Sequence, residues 1–146
     1  MDSTTRKQFA AECAGTFILL VFGLGSVAQA KLGGTDFGSF LSINLAWGIA
    51  VLLGVCVSGA ISGGHLNPAV TVALAFQRQL SWRTAGWYIL AQFLGAFLAA
   101  ETVYLVYFEA LNAFDEGARL VEGTTATAGI FATYPAPHLS TFPGSS

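Results

Sequence analysis

Charged side chains are scarce in this sequence. They make up 10% of its 146 residues, against about a quarter in a typical soluble domain, and whole stretches have almost none. Residues 9–30 contain only Glu12, residues 40–57 contain no charge, and residues 84–108 contain only Glu101. That distribution excludes an ordinary soluble domain and points to an integral membrane protein. The net charge of −2 leaves no basic footprint for nucleic acid. Cysteine is nearly absent, and Cys13 and Cys56 each lie in an apolar run, which argues against a disulfide framework. No Asn-x-Ser/Thr sequon occurs. No nucleophile stands with a base, and there is no metal cluster and no phosphate loop. No enzyme, cofactor or metal is therefore expected.

What the sequence does contain is length in apolar runs. Residues 9–30 suffice for about 33 Å of helix, enough for a first span. A cleaved signal peptide is the competing reading, with Arg6 and Lys7 ahead of the run, but the run is too long for one and contains Glu12. Residues 31–39 read as a polar turn and 40–57 as a second span, along which Ala46, Ala50, Gly54 and Ser58 form a small-residue stripe for helix packing. Residues 84–108 read as a third span with its own stripe, Ala91, Gly95 and Ala99. Trp82, Trp87 and Tyr88 mark one of its interfaces, Tyr104 and Tyr107 the other. Residues 109–146 are polar, Gly-rich and acidic, and read as a loop in which Asp115, Glu116 and Glu122 are solvated.

Between the second and third spans lies Ser62-Gly63-Gly64-His65-Leu66-Asn67-Pro68-Ala69-Val70. Asn67 is a good N-cap and Pro68 suits the first helical position, so a helix is expected to start there and run to Phe76. At about 10 residues it reaches roughly 15 Å, half of a hydrocarbon core. Arg6 and Lys7 flank the first span and Arg78 and Arg83 the third, against Lys31 and Arg119 in the other segments. This bias places the N-terminus and residues 77–83 in the cytoplasm. Residues 59–77 then form a re-entrant stretch: 59–66 enter extended and the half-helix returns on the same side. Such backbone is tolerated only when buried in protein or lining a wet cavity. The half-helix would turn a partial positive charge toward mid-membrane. Beside it, the carbonyls of Gly63, Gly64, His65 and Leu66 and the Asn67 amide would suit a file of hydroxyl groups or water.

This Gly-Gly-His-Leu-Asn-Pro-Ala stretch resembles the first Asn-Pro-Ala signature of the major intrinsic proteins, the aquaporin and glycerol-facilitator family. Glu12-Cys13-Ala14-Gly15-Thr16 resembles the family's Glu-x-x-x-Thr in span one, and Gln92-x-x-Gly95-Ala96 its span-three pattern. The resemblance implies an all-α membrane fold with three transmembrane helices plus one re-entrant half-helix, one half of an inverted repeat whose two halves meet at mid-membrane. The positive half-helix end would then oppose cations and protons, as is understood for aquaporin-type pores. Trp47 falls at the span-two position where glycerol facilitators often carry Trp and water-selective members usually carry Phe, with His in the second half-repeat. Thr133-Tyr134-Pro135-Ala136-Pro137-His138 resembles an extracellular-loop pattern of glycerol facilitators. A Trp face gives a polyol's CH₂ backbone a broad apolar wall, whereas the bland reading of Trp47 is an interfacial anchor.

The resemblance therefore implies a passive channel for glycerol, other small neutral polyols and water, as a homotetramer in the plasma membrane with lipid around it. Asn67, Trp47, Gly63, Gly64, His65 and Leu66 would line the pore, and Asn67, Pro68 and Ala69 form the motif. Glu12, a charge inside a span, is expected to accept hydrogen bonds from loop backbone or His65 and to brace the loop. His65 has no partner ligands at metal spacing. Glu101 departs from the family pattern, where a small or apolar residue is common. The second Asn-Pro-Ala, the selectivity arginine and three further spans of the C-terminal half are absent. The sequence is expected to be part of a roughly doubled protein; the alternative is a truncated, non-conducting subunit that associates with full-length channels.

Overall fold

A computed structural model describes residues 2–134, and these are all helix and connection. Four helices carry the architecture: α1 (Ser3–Gly33), α2 (Phe40–Ser62), the short α3 (Pro68–Phe76) and α4 (Trp82–Val106). At 31, 23 and 25 residues, α1, α2 and α4 reach about 46, 35 and 37 Å, each sufficient to cross a bilayer. The 9 residues of α3 reach only about 14 Å. A fifth helix, α5 (Phe108–Asp115), follows α4 after a break at Tyr107.

Each of the three long helices differs from the hydropathy-based expectation at its ends, because caps and not polarity decide where a helix stops. Asp2 caps α1, its carboxylate accepting from the Thr5 N–H at 2.7 Å, so α1 starts six residues before the apolar run. Ser81 caps α4 in the same way through the Thr84 N–H at 3.1 Å. Helix α2 continues five residues past Val57. Ser58 and Ser62 turn their hydroxyls back onto the carbonyls of Gly54 and Ser58, and the helix ends only where Gly63 takes φ 92°. Residues 59–62, expected to be extended, are therefore helical, and only residues 63–66 are not.

Helix α1 packs against both α2 and α4, and the small-residue stripes let the backbones meet. A methyl at Gly15 would fall 2.8 Å from Ser58 Oγ and 3.0 Å from the Gly54 carbonyl. One at Gly95 would fall 2.3 Å from the Cys13 carbonyl, backbone on backbone. Outward faces stay apolar, with Phe40, Ile49 and Leu52 of α2 and Phe93 and Phe97 of α4 exposed. Glu101 is also exposed on α4, and nothing in the structure explains it.

The two ends of the molecule differ in charge. Asp2, the cap of α1, and Thr5 within it share a polar cleft with Arg83 and Thr84 of α4, and Phe76 at the end of α3 stands edge-on to Trp82 at 5.0 Å. Arg6, Lys7, Arg78 and Arg83 thus gather at one end. At the other end Lys31 lies over the Phe114 ring and bonds the Thr124 carbonyl, while Arg119 pairs with Asp115 at 2.7 Å. Here α5 and a 3₁₀ turn at Ala128–Ile130 cover the ends of α1 and α4 around a core of Leu24, Ala28, Val103, Leu111 and Ile130.

Residues 109–134 are thus not simply a solvated loop. Asp115 is buried and receives four donors: the Gly117 and Arg119 N–H groups, the Arg119 guanidinium and the Thr127 hydroxyl. Burial alone would push its carboxyl up. The hydrogen bonds from Thr127 and Gly117 and the Arg119 charge outweigh that and hold it below the ordinary carboxylate value. Glu116 and Glu122 are exposed, in line with the solvated reading.

Candidate functional site

Glu12 organises the connection between α2 and α3. It is fully buried, and its two oxygens accept from four groups. Oε1 takes the Ser62 hydroxyl at 2.6 Å and the His65 N–H at 3.0 Å; Oε2 takes the Leu66 N–H and Gln92 Nε2, each at 2.8 Å. A carboxylate is acceptor-only, with room for about four donors, so this one is saturated. The segment it holds is not a conformation the chain would choose. Gly63, Gly64 and Leu66 have φ of 92°, 65° and 54°, and a left-handed leucine costs about 1–2 kcal/mol. Charge-assisted bonds to the His65 and Leu66 amides offset that cost.

The same clamp sets where the carbonyls point. In a trans peptide the C=O of one residue lies antiparallel to the N–H of the next. With the His65 and Leu66 N–H groups turned to Glu12, the Gly64 and His65 carbonyls face away from it. Among the described residues, the carbonyls of residues 63–66 accept no hydrogen bond.

Asn67 completes the segment. Its Oδ1 accepts from the Ala69 N–H at 2.8 Å, capping α3, and Pro68 occupies the first helical position. With the oxygen committed, the Asn67 NH₂ is left as an exposed donor beside the helix N-terminus. Thr71, one turn on, ties the pieces together. Its hydroxyl donates to the Asn67 carbonyl and accepts from Gln92 Nε2 at 2.9 Å, leaving a lone pair for His65 Nδ1 at 3.1 Å. That arrangement places the histidine proton on Nδ1, an assignment made from the network. Tyr88 closes the far side, donating to the Ser62 carbonyl at 3.0 Å with its ring edge-on to His65 at 5.0 Å.

The segment opens onto a cleft of about 540 Å³ lined by Gly64, His65, Leu66, Asn67, Pro68 and Trp47, with Val51 and Val55 on the same wall. Its other walls are Thr16, Leu19 and Leu20 of α1 and Gln92, Phe93 and Ala96 of α4. These positions lie near the midpoints of the three long helices. The tip of α3 therefore sits at half-height, while its far end, at Phe76, returns to the end where α1 begins. Apolar walls thus face a single strip of polar groups. The Thr16 hydroxyl and Gln92 Oε1, both buried in the wall, have no partner among the described residues.

Apolar spans, half-helix and strip are the arrangement that the Asn-Pro-Ala resemblance implies. The family described as "Major intrinsic protein" matches residues 1–144. This chain belongs to the major intrinsic protein family. Members of the family are channels, not enzymes, and this major intrinsic protein is an integral, multi-pass membrane protein. It is 46% identical to Aquaporin-9 of Homo sapiens over 140 residues, which cover 96% of this chain and 48% of that protein. It is 50% identical to Aquaglyceroporin-2 of Rhizophagus irregularis over 134 residues, 92% of this chain and 42% of that one. The X-ray structure of the aquaglyceroporin from Plasmodium falciparum matches with a TM-score of 0.70 at 34% identity, over 75% of this chain and 45% of that one. This major intrinsic protein spans about half the length of the relatives it matches.

Of the residues singled out from the sequence, the structure brings Trp47, Gly64, His65, Leu66, Asn67 and Pro68 to one cleft and places Glu12 behind it. Gly63 does not line the cleft; it is the exposed C-cap of α2. Ala69 presents its N–H to Asn67 and is likewise exposed. Pro135, Ala136, Pro137 and His138, quoted for the loop pattern, lie outside the described residues. Sequence reasoning missed the roles of Ser62 and Thr71, read Tyr88 as an interface aromatic where the structure buries it against the segment, and knew Gln92 only as part of a pattern. Tyr88 and Gln92 are a polar pair at i and i+4 on one face of an apolar helix, a signal that was available.

Proposed function

We propose that this chain supplies the first half of a passive channel for glycerol, other small neutral polyols and water. The observation that carries the reading is the Asn67 tip of α3 at half-height, beside carbonyls that Glu12 turns outward into an apolar-walled cleft. The carbonyls of Gly64, His65 and Leu66 accept from hydroxyl groups or water in file, and the Asn67 amide donates to them. The partial positive charge at the α3 tip opposes cations and protons. Trp47 gives the CH₂ side of a polyol its wall. Likeness to proteins named aquaglyceroporin supports glycerol over water alone.

In this reading residues 59–77 are re-entrant, the N-terminus is cytoplasmic and the channel is a homotetramer in the plasma membrane. The open cleft and its two unpartnered wall groups need a second half, either from the rest of the reading frame or from another chain. Stopped-flow swelling of vesicles carrying the protein from its full reading frame tests the proposal. Glycerol uptake well above that of empty vesicles is expected. No uptake above empty vesicles would end the channel reading, and water without glycerol would end the polyol assignment.

A further inference from the structure

Trp47 is held by a notch on the neighbouring helix. The ring packs against the core at the outer end of α1 and also lines the cleft beside Asn67. Its six-membered ring lies flat on Gly23 of α1, a buried position. A methyl built there would fall 2.4 Å from Cζ3 and 2.5 Å from Cε3 and Cη2. Ordinary carbon contacts begin at about 3.5 Å, so any side chain at Gly23 drives the ring off by about 1 Å. The core behind the ring is close-packed and the cleft is open, so the displacement goes into the cleft.

We propose that Gly23 is a positioning residue for polyol selectivity: by having no side chain it seats Trp47 back in the wall and sets the width of the conduit there. The inference rests on the channel reading above. Gly23 touches no permeant; it acts through the ring. Gly25, two residues along the same helix, meets nothing within 4 Å and has no such role.

The test uses Gly23→Ala, Trp47→Phe, the double variant and Gly25→Ala, each expressed from the full reading frame and assayed for glycerol and water uptake by the same vesicles. One methyl too many in a fitted apolar site costs about tenfold or more, so Gly23→Ala is expected to cut glycerol uptake about tenfold and water uptake far less. Trp47→Phe removes the outer carbons that meet the notch. In that background Gly23→Ala should change the glycerol-to-water ratio by less than about twofold, the scale of an ordinary exposed substitution. Gly25→Ala should match the parent. Should Gly23→Ala alone fail to reach the membrane, its recovery by Trp47→Phe reads the same clash.

An unchanged ratio in Gly23→Ala, or an equal loss in both backgrounds, would overturn the proposal, the second result marking Gly23 as a mere helix-packing site. Parent vesicles that pass no glycerol would instead overturn the polyol assignment, and this role with it. In that case the emission of Trp47, after every other tryptophan of the expressed protein is replaced by Phe, still reports whether Gly23→Ala moves the ring.

Discussion

Replacing Glu12 by alanine is the sharpest way to challenge the proposed site. The substitution removes the acceptor for four donors, of which only the Ser62 hydroxyl has a second acceptor, the Ser58 carbonyl at 3.1 Å. Gln92 keeps one of its two amide hydrogens on Thr71 at 2.9 Å and loses the partner of the other. The His65 and Leu66 N–H groups have no other acceptor among the described residues. Leaving a buried donor unpaired costs about 1–3 kcal/mol, so the two amides together cost about 2–6 kcal/mol, before the strain at Leu66 is released.

Glu12→Gln should cost less. Its amide keeps one acceptor oxygen and presents NH₂ on the other side, so a single backbone donor is lost, about 1–3 kcal/mol. Hydrogen exchange at the His65 and Leu66 amides is the assay, read beside glycerol uptake. Alanine should accelerate exchange at both by about 30-fold or more, the equivalent of about 2 kcal/mol, and lower uptake. Glutamine should fall between alanine and the parent. Unchanged exchange at both amides in the alanine variant would refute the claim that Glu12 holds the segment. Faster exchange with unchanged uptake would refute the claim that the held segment lines the path.

Three further outcomes are expected. Gly95→Ala sets a methyl 2.3 Å from the Cys13 carbonyl, where neither backbone can give way, so thermal unfolding in detergent should show a loss of about 1–3 kcal/mol. Gly86→Ala on the same helix, with nothing within 4 Å, should be neutral or gain up to about 1 kcal/mol. The Asp115 clamp should be insensitive to ordinary acidification: its folded carboxyl sits below the ordinary value of 3.8, so its contribution is complete above that pH and is lost as pH falls through the lower folded value. Limited proteolysis of residues 109–134 should accordingly stay unchanged from pH 7 to about 5, while Asp115→Asn exposes the segment at pH 7; opening of the parent by pH 5 would contradict the sign. A cysteine at Arg78 should react with an impermeant thiol reagent from the side on which the N-terminus is detected, and reaction from the opposite side would remove the re-entrant reading.

Much of this protein was legible because the relevant signals are local. Lengths of uncharged chain announced three long helices, since a bilayer demands about 20 apolar residues whatever surrounds them. Asn67 and Pro68 announced the start of α3 through the chemistry of one helical turn, and Gln77 marked its end. The Gly-His-Leu-Asn-Pro-Ala stretch carried the family likeness. Helix ends were harder to read: Asp2 and Ser81 reach beyond the apolar runs, and Ser58 and Ser62 carry α2 into a stretch whose glycines read as extended.

Only the tertiary structure decided which distant groups meet. A lone Glu12 in an apolar run announces that it needs partners, but not that they stand 50, 53, 54 and 80 residues away. Asp115 looked like any acid in a polar loop until Thr127 and Arg119 folded onto it. Gly23 looked like one of many glycines until the Trp47 ring lay against it. Hydropathy and caps act within a few residues and so are written along the chain. Which carboxylate receives which amide, and which ring fills which notch, depends on how close-packed helices cross, and that is settled only when all of them are in place.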